Sequence, residues 1–299
     1  MAITPVQYAN AFRNLRIFLD AGAADAPTAM ALDEKGRTPP VLMGSPRLET
    51  LDVNSYLMVT GAPGKDYYSK FGQKLKQALY IQAKIMRLDG SIETLSVQYA
   101  DIAYALIAPF WGKGYPEECQ LALQLWDRLK LGPPEIKSIV QEDGAIGLDC
   151  NGFVGGYFER SANPAQWRRS QGSLTGAPIN ELMQRPGATL NALTDLSPPE
   201  GASLLLGLCD ANSGVIRDYN DSPVGHIAIS EPGSARKRAD GLIELTVAES
   251  TGHVGITTST YAILSLAKST PSGGIFNVQR GSKKGKAEEF VTFKIRRLA

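Results

Sequence analysis

The stretch GLDCNGFVGGYF, residues 147–158, places a cysteine where loop gives way to an amphipathic helix. A helix starting at Asp149–Cys150 puts Phe153, Val154, Tyr157 and Phe158 on one buried face. Cys150 then sits at the helix N-terminus. Unpaired N–H groups and the positive end of the helix dipole favour thiolate there, the nucleophilic form of cysteine. Free cysteines are also common as small buried packing residues. On the residues alone, both readings of Cys150 stand.

A cysteine nucleophile needs a base, and the chain has two histidines, His226 and His253, in the similar pieces GHIAI and GHVGI. Each opens a β-branched run, so each is expected at a strand end. A core histidine bonded to a backbone carbonyl is the competing reading of either.

Together these motifs resemble the NlpC-type cell-wall peptidases of the papain-like cysteine peptidase and amidase superfamily. That family carries Asp-Cys-Ser-Gly-(Phe/Leu)-Val, followed downstream by Gly-His-Val-(Gly/Ala)-Ile on a strand. Here the first piece reads Asp149-Cys150-Asn151-Gly152-Phe153-Val154, with Asn for Ser, and the second Gly225-His226-Ile227-Ala228-Ile229. The resemblance covers residue 140 or so to the C-terminus. It implies an α+β, papain-like fold, with the cysteine helix packed on an antiparallel barrel-like sheet. It also implies cysteine-dependent hydrolysis of amide bonds, with peptide or peptidoglycan stem peptides as substrate.

The chain departs from the family in lacking a Tyr upstream of the cysteine, where Gln141 is a candidate oxyanion donor. The interval from Cys150 to His226 is long, which residues 161–202 explain as an insertion shaping the cleft. Two other readings use the same residues: a papain-like binding module without activity, and an acyltransferase or deamidase on the same scaffold.

The strand order chooses between the histidines. After GHIAIS comes LIELTVAEST, on which Glu249 shares a face with Leu245 and Val247. The family places its third catalytic group on that following strand, so the resemblance implies Cys150, His226 and Glu249 as the triad. An exposed strand-end acid is the alternative for Glu249. With His253 as base, the next segment offers hydroxyls and Lys268.

Composition narrows the function classes. The chain has 299 residues, 43% of them hydrophobic, enough for a full core in one large or two ordinary domains. Lys plus Arg is 31 against 30 acids, a formal net charge of +1, which gives no bulk attraction to nucleic acid. The basic runs at 235–238 and 280–286 are expected as solvated hairpin tips, with an anionic polymer or membrane surface the minority reading. Cys119, Cys150 and Cys209 are odd in number and widely spaced, against a disulfide framework. With no CxxC or HExxH, no metal or cofactor is expected. TGAPGKD (60–66) fails as a phosphate loop, because Val59 and Asp66 stand where Gly and Ser/Thr are required.

The N-terminus lacks the pattern of a secretory signal and no apolar run is long enough to span a membrane. The expectation is a soluble protein, cytoplasmic as made, that reaches cell wall through a specialised secretion system or a phage particle or else acts on an intracellular target, with a delivery or inhibitor protein as an unidentified partner. Residues 5–20, 66–89 and 93–111 read as helices, as does the YPEECQLALQLWDRLKLG segment from residue 115. GPPEIK (132–137) is the linker. The division is therefore a mainly helical accessory domain, 1–135, and a papain-like catalytic domain, 136–299.

Overall fold

The computed structural model describes residues 3–19, 47–51, 53, 69, 80–129, 136, 145–168, 173–184, 187–197, 202–218, 220–221, 224–252, 254–280 and 289–298. Within them the chain is mixed helix and strand, built around a closed antiparallel barrel of six strands. The expected helix at residues 66–79 and the linker, apart from residues 69 and 136, lie outside the described residues, as do the 60–66 loop, Gln141 and His253.

Helix α1 (Pro5–Arg13) starts from a reciprocal cap. Thr4 Oγ1 accepts from the Gln7 N–H, and the Gln7 side chain accepts from the Thr4 N–H. The expected helix over 5–20 stops at Arg13, because Leu15–Leu19 forms strand β1, paired with β2 (Arg47–Leu51).

Two further corrections fall on β3 (Tyr80–Met86) and β4 (Ile92–Gln98), an antiparallel ribbon where helices were expected. In β3 Ala83 and Ile85 are buried while Lys84 and Met86 are half-buried, an alternation hidden among good helix formers. The outer edge of β3 is covered by side chains of a helix. From α3 (Pro116–Leu129), the Gln120 amide bonds both the N–H and the C=O of Met86, at 2.8 and 2.7 Å, and Gln124 donates to Lys84 C=O at 3.0 Å. Helix α2 (Tyr99–Ile107) follows β4 directly.

Helix α4 (Cys150–Ala162) starts where the sequence indicated, with Phe153, Val154, Tyr157 and Phe158 all buried. Burying a residue such as Phe153 contributes about 1.5–3 kcal/mol. A buried ion pair joins α4 to α3, with Arg160 Nη2 at 2.6 Å from Glu117 Oε1. Between residues 161 and 202, the described stretches include a 3₁₀ turn at 174–176 and α5 (Ile179–Leu182), both packed on α4, and β5 (Gly187–Ala188) on the barrel wall.

The barrel runs β6 (Leu204–Leu208), β7 (Ile227–Ser230), β9 (Ile243–Thr251), β10 (Gly255–Thr270), β11 (Gly273–Arg280) and β12 (Glu289–Leu298), which returns to β6. Short β8 (Arg236–Lys237) lies on the β9 edge. Closure rests on the length of β10, whose first part pairs with β9 and whose last part pairs with β11, through two bulges. Alternation divides the barrel side chains between two cores. Leu206, Ala228, Val247, Tyr261 and Phe293 line one; Ile227, Ile229, Ala248 and Ile256 belong to the other, which packs against α1 and α4. That second core also takes in Tyr8, Phe12, Ile85, Leu106 and Trp126, so it is continuous across residue 135.

Candidate active site

The seam between β7 and β9 is paired through Ile229 with Ala248 and Ser230 with Val247. Toward the start of β7, the beginning of α4 meets both strands. Ser250 Oγ donates to Leu148 C=O at 2.7 Å, and the Ile227 N–H faces the Cys150 sulfur. The sulfur thus lies against the backbone of the residue that follows His226, and Cys150 packs in the core that faces α4, whereas the His226 ring stands against Phe293 of the other core.

Two glycines explain why the motifs read as they do. A Cβ on Gly152 would stand 2.1 Å from Gly112 C=O, and one on Gly225 would stand 2.1 Å from Arg217 C=O. Backbone passes so close that no side chain fits at either position.

Asp149 caps α4, its Oδ1 accepting from the Gly152 N–H at 2.6 Å. The same carboxylate is paired with Lys113, whose Nζ lies 2.6 Å from Oδ2 and also bonds Asn151 Oδ1 at 2.7 Å. Asn151 in turn donates to Ala177 C=O at 2.7 Å. Asn151 thus ties the helix start to two distant segments.

Burial works against the thiolate expected at the helix terminus. Cys150 is 5% exposed. Burial first, and the Asp149 carboxylate second, push its thiol up to about 12, while the Ile227 N–H, Lys113 and the Asn151 N–H pull the other way. A helix dipole contributes about 0.3–1 kcal/mol. Full burial can raise a pKa by up to about 3–5, at about 1.4 kcal/mol for each, so burial wins and the resting residue is a thiol.

His226 and Glu249 are brought together. Nε2 of the ring lies 2.8 Å from Glu249 Oε2, and the ring stands edge-on to Phe293. Glu249 is fully buried, not an exposed strand-end acid. Its Oε2 accepts two more hydrogen bonds, from Tyr261 Oη at 2.7 Å and Arg280 Nη2 at 2.9 Å. Burial, and then Glu249, hold the Tyr261 phenol well above its ordinary range, so its O–H remains a donor. With a carboxylate on Nε2, the hydrogen of that bond sits on Nε2 and Nδ1 is the basic nitrogen.

Arg280, Tyr261 and Lys113 were missed in the sequence. Arg280 opens a basic run expected in a solvated hairpin; instead it ends β11, with its side chain 18% exposed and stacked over the Tyr261 ring. A cleft of about 1000 Å³, lined among others by Gln7, Arg87, Asp89, Glu93 and Trp167, lies at the other end of α4. The helix's 13 residues at about 1.5 Å each put roughly 20 Å between it and Cys150.

Among the described residues, no helix is long and apolar enough to cross a membrane, and no group of His, Cys, Asp or Glu is arranged to hold a metal ion. No protein-family model matches the chain, and no curated protein or solved structure matches it.

Proposed function

We propose that the protein is a cysteine-dependent hydrolase of amide bonds, with Cys150 as nucleophile, His226 as base and Glu249 as the group that orients the imidazole. The observation carrying this reading is the His226–Glu249 contact at 2.8 Å, on the residue preceding the amide that faces the Cys150 sulfur. Because burial keeps Cys150 a thiol, the base is needed at the moment of attack. His226 Nδ1 takes the thiol proton as sulfur bonds to the carbonyl carbon. The C–N bond then breaks, the imidazolium gives that proton to the leaving amine, and a thioester remains. Water, deprotonated by the same nitrogen, hydrolyses the thioester and restores the thiol. The Cys150 N–H at the helix start is one donor to the tetrahedral oxyanion.

The substrate class rests on the resemblance: peptide bonds in bacterial cell-wall stems. The 3₁₀ turn at 174–176 and α5, packed against α4, fit a narrow cleft better than a groove for unfolded chains. The test is digestion of purified peptidoglycan and of unfolded casein, read by mass spectrometry, with wild type and Cys150→Ala. Stem-peptide fragments from wild type alone, with casein intact, are expected. Equal digestion by the Cys150→Ala protein would overturn the mechanism, and casein cut at many sites would overturn the substrate.

One observation favours a second reading. A thiol that is 5% exposed and pushed up to about 12 suits a papain-like binding module that does no chemistry. In that case peptidoglycan binds to the protein without being cut.

A further inference from the structure

Glu249 carries more than an orienting acid needs. A buried carboxylate facing an imidazole favours the imidazolium, and a charged ring cannot accept a thiol proton. A cation on the same carboxylate oxygen opposes this, and Arg280 is placed there. Its Nη2 lies 2.9 Å from Glu249 Oε2, the oxygen that also receives His226 Nε2, and Nη1 reaches Glu289 Oε2 at 3.3 Å. Burial works against the Arg280 cation, but the Glu249 and Glu289 carboxylates beside it oppose that and the guanidinium stays above its ordinary range. The charge is therefore permanent at any pH where the protein works.

We propose that Arg280 is the positioning residue of this site: it fixes the Glu249 carboxylate in front of His226 and, by its positive charge, keeps the imidazole neutral and able to accept the Cys150 proton near neutral pH. This rests on the triad reading above. The charged and titratable groups around the ring are Glu249 on β9, Tyr261 on β10 and Arg280 on β11, with Glu289 of β12 on the outer side of Arg280. Cys150 lies at the start of α4, backed by Asp149 and Lys113. Of these, Arg280 is the cation bonded to the acid that holds the ring.

The experiment is a ¹⁵N-imidazole NMR titration of the full chain, with the His226 signal assigned by its loss in His226→Gln. In Arg280→Gln the repelling charge is gone and the His226 titration midpoint moves up by about one pH unit; Arg280→Lys keeps the charge and the midpoint near wild type. An unchanged or lowered midpoint in folded Arg280→Gln overturns the proposal. Should Arg280→Gln fail to fold, Glu249→Gln is compared with Glu249→Gln/Arg280→Gln, which removes both charges together. A higher midpoint in the double variant supports the role and an equal one refutes it. The titration reads the ring directly, so a failure to hydrolyse substrate counts against the Cys150 reading and not against this one.

Discussion

Glu249 Oε2 lies 2.8 Å from His226 Nε2 inside a fully buried setting, so the carboxylate fixes both the tilt of the ring and which nitrogen carries hydrogen. Glu249→Gln keeps the shape and can present an N–H where the ring needs an acceptor. By analogy with loss of the orienting acid in a triad, kcat/KM on stem peptides is expected to fall about 10²–10⁴-fold. A loss under twofold would remove Glu249 from the chemistry.

Lys113 and Asp149 form an ion pair that is nearly out of solvent, with side chains 7% and 6% exposed. Lys113→Met leaves the Asp149 carboxylate buried with its cation gone, a change expected to cost about 3–5 kcal/mol. Urea denaturation of both proteins measures it. A difference below 1 kcal/mol would show that water or another group neutralises Asp149.

Asn151 bonds both Lys113 and Ala177, and the shorter Ser side chain cannot span the two. Asn151→Ser is expected to lose about 1–2 kcal/mol of stability while keeping hydrolysis, since neither bond involves the reacting sulfur. Activity lost at unchanged stability would give Asn151 a role in catalysis.

The alkaline limb of stability carries a definite sign. Folding holds Cys150 and Cys209 at about 12 and about 11 against an ordinary 9.0, and keeps Cys119, Tyr8 and Tyr261 above their ordinary values, with burial the leading cause in each. Above pH 9 the unfolded chain sheds these protons first. The stabilisation is complete below pH 9 and is lost progressively as pH rises toward 12. Thermal melts between pH 8 and 11 are expected to show a falling Tm; a flat or rising Tm contradicts the assignment.

The features legible in the sequence were the local ones. Asp149 as cap, the apolar face of α4, the run Ile227–Ile229 and the in-facing parity of Glu249 all follow from spacing within one element. What escaped depends on distant partners. Tyr80–Met86 reads as helix through Gln82, Ala83 and Lys84, and becomes strand because β4 pairs one edge while Gln120 and Gln124 cover the other. Arg280 looks like the first charge of a loop, and nothing near it in sequence points to Glu249. The protonated state of Cys150 was also hidden, because a helix start announces a dipole whereas the burial that outweighs it comes from the barrel.

The most direct test of the account is the rate of iodoacetamide alkylation at Cys150, read by peptide mapping across pH 5–10 in wild type and His226→Ala. Activation of the thiol by a neutral imidazole predicts a wild-type rate that climbs with pH and levels off once the ring has lost its proton. His226→Ala is expected to react at least about 10-fold more slowly at pH 7, with a rate that keeps rising toward the thiol's own ionisation. Identical rates and profiles in the two proteins would contradict the pairing of Cys150 with His226.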